Sequence, residues 1–579
     1  MDQVRGRKRA KGQLKGRQPD HVSMGEVLSL IGAEPHRRDL LIENLHKLND
    51  FYRGLHDRHL VALARQMNLP MAEVYEVATF YHHFEVLREG QEPARLTVRV
   101  CDGLACEMRG ARELLTRLPT LLGTDVRVIA APCVGRCEQA PVAVVGQAPV
   151  VQADSQKILH AVHGGAAAHP APPDDGQFDA GAAGAAPVTA SPSEVSPSYV
   201  GLRAYRARGG YALAARVTSG EVAADGVLKA MSDSGLRGLG GAGFPAGRKW
   251  GIVRQQPAPR LMAVNIDEGE PGTFKDRTYL ERDPHRFLEG LLIAAHVVGT
   301  EACYIYLRDE YHGCRAILER ELELLRAAPP CPLPHIELRR GAGAYICGEE
   351  SAMIESIEGK RGEPRMRPPY IAQTGLFGRP TLEHNFETLY WVRDIVERGP
   401  DWFSGFGRNG RKGLRSYSVS GRVREPGVKL APAGISLQEL IDEFCGGMLP
   451  GHELYAYLPG GASGGILPAK LADVPLDFDT LQPHGCFIGS AAVIVLSNHD
   501  KARDAALNMM RFFEHESCGQ CTPCRVGTGK AAQLMTARQW DHKTLEDLNQ
   551  VMIDASICGL GQAAPNPVRC VQKYFPDEV

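Results

Sequence analysis

The spacing of hydrophobic residues changes several times along the chain of 579 residues, and each change separates two predicted structural units. In residues 23–92 the spacing is helical, with Leu60, Leu63 and Met67 on one helix face at positions i, i+3 and i+7. From residue 96 the period becomes two, and short strand-like runs alternate with one helical run. The pattern predicts an all-helical bundle followed by a small α/β unit.

A segment without periodicity separates these units from a second set of elements. Residues 164–199 consist mainly of Gly, Ala, Pro and Ser, which predicts a flexible linker between two modules. Beyond it, strands such as 260–268 alternate with helical runs, a β-grasp-like pattern follows, and the last segment is helical. The predicted fold class is multidomain α/β. The predicted divisions, in chain order, are a basic disordered arm (1–22), a helical bundle (23–92), an α/β domain (93–163), the linker (164–199), a second α/β domain (200–410), a β-grasp-like domain (411–497) and a helical domain (498–579).

Composition narrows the function classes. A chain of this length exceeds one hydrophobic core, and a net charge of −2 argues against a dominant role in binding nucleic acid. No apolar run is long enough to span a bilayer, and no secretory segment is recognised near the start. The fifteen cysteines therefore favour reduced thiols with metal or redox functions, and we expect a cytoplasmic location.

Three cysteines in the last segment have the spacing of an iron–sulfur motif. The stretch SCGQCTPCRVG places Cys518, Cys521 and Cys524 two residues apart from one another. A C-x2-C-x2-C triplet with a distant fourth cysteine is typical of a 4Fe–4S cluster, whereas structural zinc favours separate C-x2-C pairs. Of the cysteines that follow, Cys558 is flanked by glycines that let the backbone approach a cluster. We predict a 4Fe–4S site with Cys558 as the fourth ligand, with zinc as the alternative.

A second quartet consists of Cys101, Cys106, Cys133 and Cys137. Each of its two pairs begins where a predicted strand ends, and two pairs on adjacent loops suit a 2Fe–2S cluster. Zinc is again the alternative. The other seven cysteines lack ligand spacing and are predicted to be buried small hydrophobic residues: Cys303, Cys314, Cys331, Cys347, Cys445, Cys486 and Cys570.

A glycine-rich loop, SGLRGLGGAGFPAGRKW, contains Gly238, Gly240 and Gly243 in a G-x-G-x-x-G pattern. A helical run precedes it, whereas the ordinary dinucleotide fold requires a strand there, so we reject that fold. The backbone N–H groups of the loop, together with Arg248 and Lys249, still suit a phosphate group.

Two further loops carry acidic residues. NIDEGEPGTFKDR follows a predicted strand and suits hydrogen bonds to a ring system or to ribose hydroxyls, with a solvated acidic turn as the alternative. GAGAYICGEESAMIE places glycines before two glutamates and a helix. Together the three loops predict one pocket, and a hydride-accepting flavin beside an iron–sulfur centre is the chemistry that uses all of these parts.

Five segments carry a family resemblance: LRGLGGAGFPAGRKW, NIDEGEPGTFKDR, GAGAYICGEE, HNFET and SCGQCTPCRVGTG. They resemble the NADH-binding flavoprotein subunit of respiratory complex I and the corresponding subunits of NAD-linked hydrogenases and formate dehydrogenases. Residues 23–160 are similar to the thioredoxin-like 2Fe–2S subunit of the same systems. The resemblance implies a thioredoxin-like 2Fe–2S domain at 93–163, a non-Rossmann FMN/NAD domain at 200–410, a ubiquitin-like SLBB domain at 411–497 and a helical 4Fe–4S domain at 498–579.

The same resemblance implies an oxidoreductase with FMN, NAD and two clusters as cofactors. The implied FMN contacts are Gly238, Gly240, Lys249, Asn265, Asp267, Gly348, Glu349, His384, Asn385 and Thr388. The implied NAD contacts are Phe244, Glu270, Glu350 and Tyr370, with Glu268 between the two cofactors. Glu270 and Glu350 would orient the nicotinamide and ribose as the catalytic residues. His384 replaces the usual Asn of complex I, and Tyr370 replaces the usual Phe.

The fusion of both modules in one chain argues against an ordinary complex I subunit. GRKRAKGQLKGRQ and RRDLLIENLHKLND resemble the beta, or diaphorase, subunit of NAD-dependent molybdenum or tungsten formate dehydrogenases. The implied partner is a separate catalytic alpha subunit with its own clusters, in an oligomer of heterodimers, with the basic arm as a candidate docking element. The alternatives are the diaphorase subunit of a bidirectional NAD-reducing hydrogenase and, in a different class, a zinc-stabilised scaffold.

Overall fold

The computed structural model describes residues 16–33, 36–165, 167–176 and 194–579. Most of the predicted basic arm and part of the predicted linker therefore lie outside the described residues. Contacts within the chain define two compact units. One contains the residues up to Pro93 together with Ser356–Arg361, and the other contains Ala94–Glu355 and Gly362–Val579.

The first unit is helical, as the hydrophobic spacing predicts. Its elements are α1 (His21–Ile31), α2 (Leu41–Tyr52), β1 (Leu55–His56), α3 (Asp57–Met67), α4 (Met71–Phe80) and β2 (Val86–Leu87). The predicted face of α3, formed by Leu60, Leu63 and Met67, is buried. The Asp20 carboxylate caps α1 by accepting a hydrogen bond from the Ser23 N–H at 2.8 Å. The parallel pair β1–β2 was not predicted, because two residues are too few for a periodic signal.

The second unit begins with a small α/β domain. Its elements are β3 (Leu96–Cys101), α5 (Leu104–Glu107), α6 (Ala111–Leu122), β4 (Val126–Ala131), β5 (Ala143–Val145), β6 (Ala148–Val150) and α7 (Ser155–His163). The sheet order is β4-β3-β5-β6, with β3 parallel to β4 and antiparallel to β5. Leu114 and Leu118 from α6 and Ile158 from α7 pack into its core.

The described ends of the predicted linker are packed rather than free. Tyr199 is buried, and its hydroxyl donates a hydrogen bond to Glu321 Oε1 at 2.7 Å. Asp175 forms an isolated β-bridge with Val200. Composition alone does not predict these contacts, because each depends on a single residue.

The next domain is built on a four-stranded parallel sheet. Its helices are α8 (Leu202–Ala207), α9 (Ala212–Thr218), α10 (Ala224–Asp233), α11 (Ala246–Arg254), α12 (Lys275–Leu280), α13 (Pro284–Val298), α14 (His312–Ala327), α15 (Glu350–Ile357), α16 (Phe386–Tyr390), α17 (Val392–Arg398) and α18 (Pro400–Ser404). Its strands are β7 (Arg260–Ile266), β8 (Thr300–Leu307), β9 (His335–Arg340) and β10 (Thr381–Asn385), in the order β10-β7-β8-β9. Parallel strands bring their carboxyl ends to one edge, which is where ligands bind in open α/β sheets.

A five-stranded β-grasp-like domain follows. Its elements are β11 (Leu414–Gly421), β12 (Gly427–Pro432), α19 (Leu437–Phe444), β13 (Leu454–Leu458), β14 (Leu467–Pro468) and β15 (Ala492–Ser497), with the strand order β12-β11-β15-β13-β14. Ser436 and Glu439 form a reciprocal capping box at the start of α19.

The last domain is helical, as predicted. It contains α20 (Ala502–Glu516), α21 (Thr522–Met535), α22 (His542–Ala555), α23 (Gly559–Ala563) and α24 (Pro565–Tyr574). Met509, Phe513, Met552 and Val571 are buried in it. Across the described part of the chain, no helix has the length and apolar character needed to cross a membrane.

Candidate functional site

One cavity of about 1230 Å³ lies at the carboxyl edge of the parallel sheet. All but one of the predicted flavin and NAD residues line it: Gly238, Gly240, Phe244, Lys249, Asn265, Asp267, Glu268, Glu270, Gly348, Glu349, Glu350, Tyr370, His384 and Asn385. Thr388 is outside the lining. The three loops singled out in the sequence therefore meet in one place, together with the end of β10.

The glycine loop lies between α10 and α11, so a helix precedes it as predicted. Gly243 has a φ of +65°, and a Cβ there would come within 2.5 Å of the Phe478 ring. A Cβ on Gly240 would lie 3.0 Å from the Asn385 Cβ, so the glycine loop packs closely against the end of β10. Thr388 acts on the same loop, since its Oγ1 accepts a hydrogen bond from the Leu239 N–H at 2.9 Å.

Two asparagines mark the ends of adjacent strands. Asn265 on β7 and Asn385 on β10 are paired in register. Asn265 Nδ2 donates to the Gly348 carbonyl at 2.8 Å, and Asn385 Nδ2 donates to Asp276 Oδ2 at 2.6 Å. Lys249 Nζ donates to Glu383 Oε2 at 2.7 Å. These contacts join the cavity walls and hold polar groups at the sheet edge.

Asp267 and Glu268 are neighbours with different surroundings. Asp267 Oδ2 is shielded from solvent and has no hydrogen-bond partner within the described residues. Burial raises the pKa of Asp267 well above its usual range. The Glu268 carboxylate, by contrast, accepts the Asp276 N–H at 2.8 Å and the Tyr311 hydroxyl at 2.8 Å. Asp267 therefore offers a free polar atom to a ligand, whereas the Glu268 side chain holds its own loop.

Glu270 is held by two residues that the sequence did not indicate. Its Oε1 accepts the Ser463 N–H at 2.8 Å and the Ser463 hydroxyl at 2.7 Å, and its Oε2 accepts the Tyr345 hydroxyl. Burial raises the pKa of Glu270, which these hydrogen bonds partly oppose. Tyr345 stands inside the quoted GAGAYICGEE segment, so that motif could have revealed it. Ser463 lies in the β-grasp-like domain and had no signal in the sequence.

Two more glutamates line the same side of the cavity. Burial, followed by the charge of Glu383, raises the pKa of Glu350. The Glu350 carboxylate lies 3.1 Å from the Arg367 guanidinium. Glu349 Oε2 accepts the N–H groups of Ser351 at 3.0 Å and Ala352 at 2.9 Å, so this carboxylate caps α15.

Aromatic side chains stand at the cavity mouth and in its wall. Phe244 and Tyr370 remain partly exposed, at 38% and 57%, so their rings are free to stack on a ligand. His384 is buried, and its Nε2 accepts the Trp250 indole N–H at 2.6 Å. Burial lowers the pKa of His384 well below its usual range, which keeps the imidazole neutral.

The predicted 2Fe–2S quartet is assembled at two strand ends. Cys101 ends β3, Cys106 lies in α5, and Cys133 and Cys137 follow β4. All four are buried, and the sulfurs of Cys133 and Cys137 are 3.3 Å apart. A Cβ on Gly103 would lie 3.6 Å from both the Cys101 sulfur and the Cys133 Cβ, so the two loops meet there. Four thiols on two converging loops fit a 2Fe–2S cluster.

Buried charged residues attach the Cys133–Cys137 loop to the parallel-sheet domain. Arg277 donates to the Gly135 carbonyl at 2.8 Å, to Glu281 at 2.7 Å and to Glu138. Arg136 donates to Glu281 at 2.9 Å. A Cβ on Gly135 would overlap the Tyr311 hydroxyl, so the close approach requires glycine. The sequence predicted the thiols of this loop but not these attachments.

The predicted 4Fe–4S quartet lies between α20 and α23. Cys518 and Cys521 stand in the loop before α21, Cys524 in its first turn, and Cys558 directly before α23. A Cβ on Gly561 would lie 2.9 Å from the Cys524 Cβ, so the glycine-rich turn after Cys558 packs against the triplet. Cys558 also lines the large cavity. Burial raises the pKa of Cys524 to about 11 and that of Cys558 to about 12, so bound iron is needed to hold them as thiolates.

The remaining seven cysteines are buried as predicted, with one exception. Cys331 is partly exposed, because it lies in a loop between α14 and β9. Cys486 and Cys570 are not isolated, since their sulfurs are 3.5 Å apart. This pairing links the β-grasp-like domain to α24 and has no signature in the spacing of the sequence.

Three sequence families match the chain. The Nuo51 FMN-binding domain matches residues 231–394, the NADH-ubiquinone oxidoreductase-F iron–sulfur binding region matches 504–579, and the thioredoxin-like [2Fe-2S] ferredoxin matches 27–164. An NADH-quinone oxidoreductase subunit of Rhizobium meliloti (strain 1021) is 42% identical over 394 residues, covering 65% of this chain and 93% of that protein. The mitochondrial NADH dehydrogenase [ubiquinone] flavoprotein 1 of Dictyostelium discoideum is 41% identical over 374 residues, covering 61% and 78%.

A solved structure spans both modules. The crystal structure of NAD+-reducing [NiFe]-hydrogenase in the H2-reduced state superposes with a TM-score of 0.78 and 32% identity, covering 94% of this chain and 92% of that one. Fold, cavity and cysteine quartets together define an NADH-oxidising flavoprotein subunit that transfers electrons through FMN and iron–sulfur clusters. The chain belongs to the family of the 51 kDa NADH dehydrogenase flavoprotein, with a thioredoxin-like [2Fe-2S] domain in the same chain. The predicted cofactors FMN, NAD(H), 4Fe–4S and 2Fe–2S are thereby confirmed.

Proposed function

We propose that this chain is the diaphorase subunit of an NAD+-dependent formate dehydrogenase, working with a separate molybdenum or tungsten subunit in the cytoplasm. The observation that carries the diaphorase function is a single cavity whose lining includes the predicted NAD residues Glu270 and Glu350 and the predicted cluster ligand Cys558. A hydride that is transferred in this cavity therefore delivers its electrons beside a predicted cluster ligand.

The proposed flavin residues form a polar surface, and several of their side chains are held in place by the hydrogen bonds described above. The glycine loop offers backbone N–H groups and Lys249 a positive charge to the FMN phosphate. Asn265, Asp267 and the neutral His384 offer hydrogen-bonding groups to the rest of the cofactor. The unpartnered Asp267 Oδ2 supports this assignment, since a buried polar atom of this kind needs a ligand or water.

The proposed NAD residues position the nicotinamide for hydride transfer. Bound FMN supplies a ring nitrogen that exchanges a hydride with NAD(H) and electrons singly with iron–sulfur clusters. Phe244 and Tyr370 stack on the dinucleotide at the mouth, and Glu270 and Glu350 accept hydrogen bonds from its amide or ribose groups. Ser463 and Tyr345 fix the Glu270 carboxylate, so its orientation is set before NADH enters.

The choice of partner rests on the resemblance of the segments around the basic arm and α2 to formate dehydrogenase diaphorase chains. A second candidate is the diaphorase subunit of an NAD+-reducing hydrogenase. The near-complete superposition on such a hydrogenase, at 94% of this chain, favours it. Both candidates share the chemistry of the cavity and differ only in the subunit that supplies electrons.

Co-purification of the chain with its native partners tests the proposal. Formate-dependent NAD+ reduction by the complex, with molybdenum or tungsten bound, supports the formate dehydrogenase. Hydrogen-dependent reduction with nickel bound supports the second candidate. A colourless zinc protein without NADH-driven dye reduction would contradict both.

A further inference from the structure

We propose that Arg308 is a positioning residue that joins the 2Fe–2S loop to the acidic loop of the flavin cavity and raises the reduction potential of the 2Fe–2S cluster. The proposal rests on the function proposed above only in that both clusters are bound. It concerns the chain's own residues around the 2Fe–2S quartet.

Arg308 directly follows β8 and is 5% exposed. Its Nη2 donates to the carbonyl of Cys133 at 2.7 Å, and its Nη1 donates to the carbonyl of Glu268. One guanidinium therefore holds the backbone of a predicted cluster ligand and the backbone of the loop that carries Asp267. A planar side chain with several fixed donors is suited to such a double contact, whereas lysine is not.

The neighbours of Arg308 fix its orientation. Its Nε donates to Glu310 Oε2 at 3.0 Å, and its guanidinium carbon lies 5.1 Å from the centre of the Tyr311 ring. Tyr311 in turn donates to Glu268 Oε2. A small space of about 10 Å³ remains here, lined by Cys133, Asp267 and Arg308 and, at the end of α20, by Glu516.

The charge of Arg308 gives the contact an electrostatic consequence. Reduction adds an electron to the cluster, and a buried positive charge beside it favours the reduced state. Glu310 opposes this effect because its carboxylate is paired with the same guanidinium and is mostly buried, at 23% side-chain exposure. Removal of Arg308 and removal of the Glu310 charge should therefore shift the potential in opposite directions.

Redox titration of the anaerobically purified full chain, followed by electron paramagnetic resonance, tests the proposal. With Arg308→Gln, the reduced-to-oxidised ratio of the 2Fe–2S cluster at a fixed potential should fall about tenfold, or about 59 mV for a one-electron couple. With Glu310→Gln the shift should be positive. In both variants the potential of the 4Fe–4S cluster should shift less than that of the 2Fe–2S cluster, because the Arg308 guanidinium contacts the Cys133 carbonyl directly.

Arg286→Gln is the matched control, because Arg286 is equally buried and ion-paired, with Asp394 at 2.6 Å, but within the described residues it makes no hydrogen bond, ion pair or ring contact with either cysteine loop. It should leave the 2Fe–2S potential unchanged.

The proposal is overturned if Arg308→Gln has the wild-type 2Fe–2S potential or shifts the potentials of both clusters equally. If Arg308→Gln does not retain the 2Fe–2S cluster, the result with Glu310→Gln decides between the outcomes. An unchanged or lowered 2Fe–2S potential in Glu310→Gln overturns the proposal. Dithionite and mediators set the potential, so a failure of NADH to reduce the protein would count against the proposed function alone.

Discussion

The two cysteine quartets differ in their burial and in the structural elements that carry them. The 2Fe–2S quartet is completely buried and sits on two strand ends, and its loop is attached through buried arginines to another domain. The 4Fe–4S quartet lies on loops between helices and in the first turn of α21, and three of its four thiols are partly exposed. One of them, Cys558, lines the flavin cavity.

This difference indicates how each cluster depends on the rest of the chain. The 4Fe–4S site is completed by residues near it in sequence, such as Ser517, whose hydroxyl lies 3.3 Å from the Cys524 sulfur. The 2Fe–2S site depends on residues more than a hundred positions away, including Arg277 and Arg308. Substitutions close in sequence to the ligands should therefore affect the 4Fe–4S site. Substitutions at distant positions should affect the 2Fe–2S site.

The largest effect is expected from Cys558→Ala. Loss of the fourth ligand should remove the 4Fe–4S cluster, because three thiolates leave one iron without its protein ligand. Flavin binding and the 2Fe–2S signal should persist, since that quartet shares no ligand with it. Iron and acid-labile sulfide content, together with electron paramagnetic resonance, measure this.

The partly exposed Cys331, which belongs to neither quartet, offers the control Cys331→Ala, and we expect full cluster content in that variant. Full iron content in Cys558→Ala would mean that the fourth ligand is a different residue.

The comparison also explains what could be predicted from the sequence. The thiols themselves were predictable, because ligand spacing and strand ends are local patterns. The cavity loops were predictable as well, since each is a short contiguous segment. Ser463, Arg308 and the Cys486–Cys570 pair were not, because each meets its partner only through tertiary folding. The hydrogen bond from the Tyr311 hydroxyl to the Glu268 carboxylate joins residues 43 positions apart, so it had no local pattern in the sequence either.

The next largest effect is expected from Arg277→Ala. This side chain is 1% exposed, and its loss leaves Glu138 buried without its partner. Breaking a buried ion pair in this way costs about 3–5 kcal/mol. Hydrogen exchange at residues 133–139 should become faster, because the loop loses its attachment to α12.

Arg117→Ala, on α6 of the small α/β domain that contains the 133–139 loop, serves as the comparison. Its pair with Glu113 at 2.8 Å is exposed, so we expect a loss below about 1 kcal/mol and unchanged exchange at residues 133–139. Equal exchange rates in the two variants would contradict a docking role for Arg277.

Glu350→Gln tests the NAD site of the cavity without changing either cluster. A hydrogen bond to a charged acceptor contributes about 1.5–3 kcal/mol, so NADH affinity should fall about 10- to 150-fold while FMN and both clusters stay bound. Because burial raises the pKa of Glu350, acidification protonates this acceptor at a higher pH than for a solvated glutamate. Wild-type NADH affinity should therefore fall as the pH is lowered towards and through that raised pKa, and the variant should lose this part of the dependence.

Titration of NADH at several pH values measures both effects. Glu319→Gln, at an exposed position on α14, should behave as the wild type. Loss of FMN instead of NADH affinity in Glu350→Gln would show that the residue belongs to the flavin site.

The smallest effect, and the closest counterpart of Arg308→Gln, is expected from Ser517→Ala. The hydroxyl lies 3.3 Å from the Cys524 sulfur, and hydrogen bonds to cluster sulfurs raise the potential. Its loss should lower the 4Fe–4S potential by less than about 60 mV, the equivalent of about 1.4 kcal/mol for a one-electron couple, and leave the 2Fe–2S potential unchanged. The same redox titration measures this shift. A shift of the 2Fe–2S potential in Ser517→Ala would mean that the two quartets are coupled, and the contrast between a locally supported and a remotely supported cluster would then be wrong.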